Sequence, residues 1–182
     1  VTIVGTAVAD TFNATSTTNG GFQGIGGDSA TNPSFTWTGD LDTGMYRNGT
    51  NQIGLTTAGV SRFVLTNSTA TFTGDVVANS DIRLKKDIEN IANALEKVNK
   101  LNGVNFTKIE NDKRSTGLIA QDVQAVLPEA VSENEEGYLS IAYGNLVGLL
   151  VEAIKEQDST INSLRNDVET LKELVNKLME SK

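Results

Sequence analysis

Apolar and polar positions follow two different rhythms along this chain, and the change between them divides it. Towards the end the rhythm is a heptad. Val147, Ile154, Ile161, Val168 and Val175 hold one seam position, and Leu150, Gln157, Leu164, Leu171 and Leu178 hold the other. Alternating spacings of three and four place these side chains in one narrow stripe, which predicts a long coiled-coil helix over about 145–182, roughly 50–60 Å in length. β-branched residues at the first position and leucine at the second favour two strands; the polar Gln157 layer can specify oligomer state at some cost in stability, and the flanking Leu174 and Met179 widen the stripe towards three. The spacing therefore predicts self-association without fixing the number of chains. Asp167 and Lys172 fall at flanking positions where neighbouring helices can pair. A single helix packed on its own domain is the alternative, but the last three heptads have little other sequence to pack against.

Upstream of that helix the same rhythm recurs in shorter pieces. Ile88, Ile91, Leu95 and Val98 share one face and predict an amphipathic helix from Asp87 to Asn99. Val104-Asn105-Phe106 alternates like a strand, Glu110 to Arg114 looks like a hairpin tip, and Gly117 to Val131 reads as a short strand feeding a helix that Pro128 ends. Before residue 80 the pattern is one of short strands: Phe35-Thr36-Trp37-Thr38, Gln52-Ile53-Gly54-Leu55 and Arg62-Phe63-Val64-Leu65. Turn signals separate them at Asn19-Gly20, Gly26-Gly27, Thr38-Gly39-Asp40 and Asn48-Gly49. This half is expected to be all-β. Thr2 to Ala9 and Thr71 to Ala78 echo each other at Thr, Gly, Val and Ala positions, which suggests an extended, repeating β-fibre or β-helix.

Composition sharpens the division. Residues 1–79 contain seventeen Thr, twelve Gly and no Lys or Glu, while thirteen of the fifteen basic and eighteen of the twenty-three acidic residues follow. Short strands with so little apolar bulk cannot bury enough surface alone, so intertwining with identical chains is the simplest remedy. The net charge of -8 disfavours nucleic acid and anionic membranes as partners. No apolar run approaches the roughly 20 residues that span a bilayer, so membrane insertion is not expected. Val1 opens in mid-pattern with no charged leader, as a fragment of a longer chain would.

With no histidine and no cysteine, thiolate metal sites, cysteine nucleophiles and histidine triads are excluded. No cofactor or metal is expected, and Asp40 and Asp42 read as turn aspartates more readily than as calcium ligands. The first half has five aspartates and no glutamate, a poor basis for the paired carboxylates of a glycan hydrolase. At the boundary, however, Ser80 and Lys85 stand five apart within Ser80-Asp81-Ile82-Arg83-Leu84-Lys85-Lys86. A lysine amine can act as base for a serine hydroxyl when burial or neighbouring cations favour its neutral form, and Arg83 and Lys86 flank Lys85. A solvated charged linker explains the same residues.

Two resemblances bear on this choice. Asn32 to Asp40 with Thr43-Gly44-Met45-Tyr46-Arg47 resembles a module that recurs near the distal ends of bacteriophage tail fibres. Trp37, Tyr46 and Arg47 there suit stacking on a sugar, although composition favours the two aromatics as scarce core. The boundary motif, then Gly117 to Gln124 with Leu127-Pro128-Glu129, then Tyr143 and Leu146 leading into Glu152 to Gln157, resembles the endosialidase-type intramolecular chaperones, also called peptidase S74. The resemblance covers residues 80–182. It implies a domain that trimerises, guides folding of the preceding β-structure and cuts itself off, with Ser80 as nucleophile and Lys85 as base. It also implies a scissile bond next to Ser80, at Ser80-Asp81, with the Asn79 carbonyl as the alternative point of attack.

The expected architecture is therefore mixed. Residues 1–79 form an all-β, intertwined fibre or knob module, and residues 80–182 an α+β chaperone domain ending in the coiled-coil helix, the whole a homotrimer. The resemblance makes this a virion component assembled in the host cytoplasm, with a host surface glycan or protein as receptor. A permanently attached coiled-coil trimerisation domain without proteolysis is the competing reading.

Overall fold

The computed structural model describes residues 24 and 26–181. The chain divides into two compact units between Asp81 and Ile82.

The first unit is an antiparallel meander of β1 (Phe35–Trp37), β2 (Asp40–Gly49), β3 (Gln52–Thr57), β4 (Val60–Leu65) and β5 (Ala70–Phe72), in sequential order. Its turns explain the register. Gly39 supplies the positive φ between β1 and β2, as the sequence predicts. The turn expected at Asn48-Gly49 falls later, at Thr50-Asn51, where Asn51 takes the left-handed conformation that asparagine tolerates. Ala58 and Gly59, both left-handed, close the β3–β4 hairpin, and the Ala58 N–H donates to Thr43 Oγ1 at 3.2 Å.

The two faces of this sheet differ. On one, Thr56 is buried and donates to the Ala30 carbonyl at 2.8 Å, Pro33 lies over Gly44, and the Tyr46 ring lies over Gly54. On the other, Phe35, Met45, Leu55, Phe63 and Phe72 stand in register across all five strands, with Phe63 and Phe72 rings 4.8 Å apart. Phe35, Met45, Leu55 and Phe72 in this apolar row are exposed. The echo between Thr2 to Ala9 and Thr71 to Ala78, and the turn at Asn19-Gly20, fall on or pair with positions outside the described residues.

The second unit is α+β. It contains α1 (Ala94–Asn99), the hairpin β6 (Val104–Thr107) and β7 (Arg114–Gly117), α2 (Ala120–Val126), the hairpin β8 (Val131–Glu133) and β9 (Leu139–Ile141), and α3 (Leu146–Glu180). A 3-10 turn at Pro128–Ala130 follows α2, because Pro128 cannot continue the α-helical ladder. The helix expected over 87–99 begins only at Ala94. Asp87 and Asn93 are both left-handed, and the second of these sits at the N-cap, so the apolar spacing of Ile88 and Ile91 continues through non-helical chain.

The core is small: Ala94, Val123, Leu127, Ala130, Leu146, Leu149 and Ala153, with Ile91, Leu95, Leu118 and Ile141 packed around it. A fully buried leucine such as Leu149 contributes about 1.5–3 kcal/mol by leaving water. Only the first turns of α3 take part. The 35-residue helix, about 50 Å long, has no buried side chain beyond Ala153.

Candidate functional site

The boundary segment is open to solvent over residues 71–90. Regular structure stops before Asp75 and resumes as one 3-10 turn, Ile82–Leu84, closed where the Lys85 N–H donates to the Ile82 carbonyl at 3.1 Å. Ser80 and Asp81 end the first unit, and Lys85 follows the turn that opens the second, so the nucleophile and base implied by the resemblance lie in different units. Val76, Val77, Ile82, Leu84 and Ile88 in the same stretch are all exposed.

The motif residues of the second unit are tied to one another by hydrogen bonds between distant segments. Tyr143 lies over the end of β7, where a Cβ at Gly117 would come within 2.6 Å of its hydroxyl oxygen. That oxygen accepts the Leu118 N–H at 3.1 Å, satisfying a donor where the chain leaves the sheet and α2 has not begun. Glu156, on α3, accepts the Ala94 and Leu95 N–H groups with its two carboxylate oxygens, both at 2.9 Å. Sequence reasoning placed Tyr143 and Glu156 inside motifs but gave neither a task, because each task depends on a partner 25 or 62 residues away. Tyr143→Phe is expected to lower stability by about 1 kcal/mol, a few degrees in Tm, from loss of the Leu118 acceptor. Thermal unfolding followed at α-helical ellipticity checks this, and an unchanged Tm counts against the contact.

In the first unit the three candidate binding residues are not gathered. Tyr46 is only 6% exposed, its ring against Gly54 and its hydroxyl donating to Asn48 Oδ1 at 3.0 Å, so it offers no free face to a sugar. Trp37 is 64% exposed at the β1–β2 turn, opposite Asp40 and roughly 20 Å along β2 from Tyr46. Arg47 is exposed, and its backbone N–H donates to Asp28 Oδ2 at 3.1 Å. The Ser34 hydroxyl, 2.6 Å from the same oxygen, holds the Asp28 carboxyl below its usual range, helped by Arg47. A recess of ≈ 230 Å³ beside Asp28, Tyr46 and Arg47 is lined largely by Phe35, Met45 and Ile53 and does not include Trp37. Asp40 and Asp42 serve the turns through their backbone carbonyls, which accept Thr36 Oγ1 and the Gly59 N–H. Among the described residues no group of three His, Cys, Asp or Glu is arranged to hold a metal ion, and no helix is long and apolar enough to cross a membrane.

The α3 helix carries two apolar stripes. Leu146, Leu149 and Ala153 face the unit's own core. Val147, Leu150, Ile154, Ile161, Leu164, Val168, Leu171, Val175 and Leu178, the seam read from the sequence, are exposed along the whole length of the helix. Lys172 pairs within its own helix with Glu169 at 3.2 Å, a surface pair of little energetic weight.

Comparison with known proteins adds independent observations. Residues 80–132 match the family described as chaperone of endosialidase, Peptidase_S74. The chain is similar to the long tail fiber protein Gp37 of Enterobacteria phage T2, 35% identical over 158 residues, 79% of this chain and 11% of that protein. It is also similar to Gp37 of Enterobacteria phage K3, 37% identical over 142 residues, 70% of this chain and 11% of that protein. Gp37 of Enterobacteria phage M1 is 38% identical over 108 residues, 53% of this chain and 42% of that protein. The chain thus spans about a tenth of the first two relatives.

Proposed function

We propose, for a chain that carries a chaperone-of-endosialidase domain at residues 80–132 within a stretch homologous to phage long tail fibres, that residues 80–182 assemble three copies and direct folding of the β-module formed by residues 1–79. The observation that carries this reading is the second stripe of α3. A helix that already spends Leu146, Leu149 and Ala153 on its own core keeps a separate nine-residue apolar seam in water, and other copies of the chain are the partners a heptad seam suits. The row Phe35, Met45, Leu55, Phe63 and Phe72 gives the first unit the same need. The assembled fibre belongs to the virion, and its β-module meets a host surface glycan or protein.

Release of the domain is the second part of the proposal. Ser80 is the nucleophile and Lys85 the base of a single-turnover cleavage next to Ser80, at Ser80-Asp81 or, by attack on the Asn79 carbonyl, at Asn79-Ser80: Lys85 takes the hydroxyl proton, the hydroxyl oxygen forms an ester as the peptide C–N bond breaks, the leaving amine takes the proton, and water hydrolyses the ester. Lys85 is exposed in the single chain, and a lysine amine becomes a base when withdrawn from water beside other cations, here Arg83 and Lys86. Activation therefore follows assembly, when Val76, Val77, Ile82, Leu84 and Ile88 are covered. The competing reading is a retained trimerisation domain that never cuts.

Intact mass and denaturing electrophoresis of freshly expressed protein separate the two. Wild type is expected to split next to residue 80, with the masses naming the bond, while Ser80→Ala and Lys85→Ala stay whole, a loss of at least 10³-fold in cleavage rate on the scale of removing a nucleophile or its base. Wild type that stays whole in its assembled state leaves the retained domain as the function.

A further inference from the structure

We propose that Glu156 is a positioning residue for that cleavage, through which the assembly helix sets the segment that carries Lys85; the inference rests on the autoproteolytic reading above. The helix α1 cannot begin by itself. It has six residues, too few to persist without tertiary help, and Asn93 at its N-cap is left-handed and makes no side-chain cap. Ala94 is fully buried, so water is excluded from its amide. The two oxygens of Glu156 take the first two N–H groups of α1 at 2.9 Å each, a cap supplied from α3.

The position of Glu156 on α3 gives this cap a second consequence. It continues the stripe of Leu149 and Ala153 that packs inward, yet it stands between Ile154 and Gln157, two successive layers of the exposed seam. A rotation or shift of α3 that seats the seam against other copies moves the carboxylate with it. From Lys85 to Asn93 the chain has no helix, and left-handed residues at Asp87 and Asn93 fix two of its bends. Ile91 packs on the core within contact of Gly148. The end of this segment nearest the core is thus held by groups on α3, and its other end carries Lys85.

The test uses the full chain as wild type, Glu156→Ala and Glu156→Gln, each at a temperature well below its own unfolding transition. Cleavage rate by intact mass is expressed per assembled molecule, with assembly measured by light scattering. Glu156→Ala is expected to form the same oligomer and to cleave at least tenfold more slowly. Glu156→Gln, which keeps one acceptor oxygen and the side-chain volume, is expected to recover part of that rate. A residue that only stabilises the unit changes how much assembles but not the rate per assembled molecule. Equal rates for the assembled Ala variant and wild type overturn the inference; where the Ala variant does not assemble, equal rates for Gln and wild type do so. Wild type that is never cleaved overturns it in a different way, by removing the reaction it serves.

Discussion

A chain carrying Leu164→Glu and Leu171→Glu is expected to remain monomeric while its second unit keeps its fold. Both leucines lie on α3 beyond Ala153, the last buried side chain of the helix, and beyond Glu156, so the substitutions leave Leu146, Leu149, Ala153 and the Glu156 contacts in place. Each leucine buried in a seam contributes roughly 1.5–3 kcal/mol, and two layers in three copies sum to on the order of 10 kcal/mol per assembly. A charge in each layer adds desolvation to that loss. At about 1.4 kcal/mol per tenfold change, the shift exceeds what micromolar protein can offset by mass action. Light scattering of wild type and variant decides the matter, with circular dichroism to show that α3 is still helical. An unchanged oligomer would mean that the seam is a solvated face and that some other surface assembles the chain.

How much of this was readable beforehand depends on where each determinant lies. The α3 helix was legible because its periodicity is sustained and local, and Gly39 announced its turn for the same reason. Strands β3 and β4 stood out as short runs rich in Ile, Leu, Phe and Val. The start of α1 was not legible, because spacing cannot register two left-handed residues, and its cap is a carboxylate 62 residues away. The β8–β9 hairpin escaped because strands of three residues carry too few positions to show alternation. Trp37 and Tyr46 are equally aromatic in the sequence. What separates them is the cross-strand partner: Gly54 opens room for Tyr46 on the covered face, while Trp37 stands at a turn with Asp40 opposite. The motif at 80–85 suggests a chemistry through its resemblance alone, because serine and lysine five residues apart are also what a solvated linker carries.

Heating and cooling the cleaved, separated β-module is expected to yield little native fibre, whereas uncleaved Ser80→Ala regains it. The reason lies in what a single copy of the first unit can do alone. Among the described residues its sheet buries Tyr46 and Thr56 on one face but leaves the Phe35, Met45, Leu55 and Phe72 row in water, and on the proposed reading other copies cover that row. Free chains at micromolar concentration meet in a slow, non-local step, and meanwhile β1 and β5, the edge strands of the sheet among the described residues, favour aggregation. If, as proposed, the second unit holds three chains together, they meet at an effective concentration near the millimolar range, a gain of about 10³ for each added partner and about 10⁶ for two. On the proposed reading, cleavage removes that help without touching the folded fibre, which then persists through its unfolding barrier. The exposed Trp37 and the light-scattering mass report recovery from the β-module's side. Equal recovery with and without residues 80–182 would show that the β-module encodes its own assembly, and the attached domain would then be a trimerisation device whose work is not chaperoning.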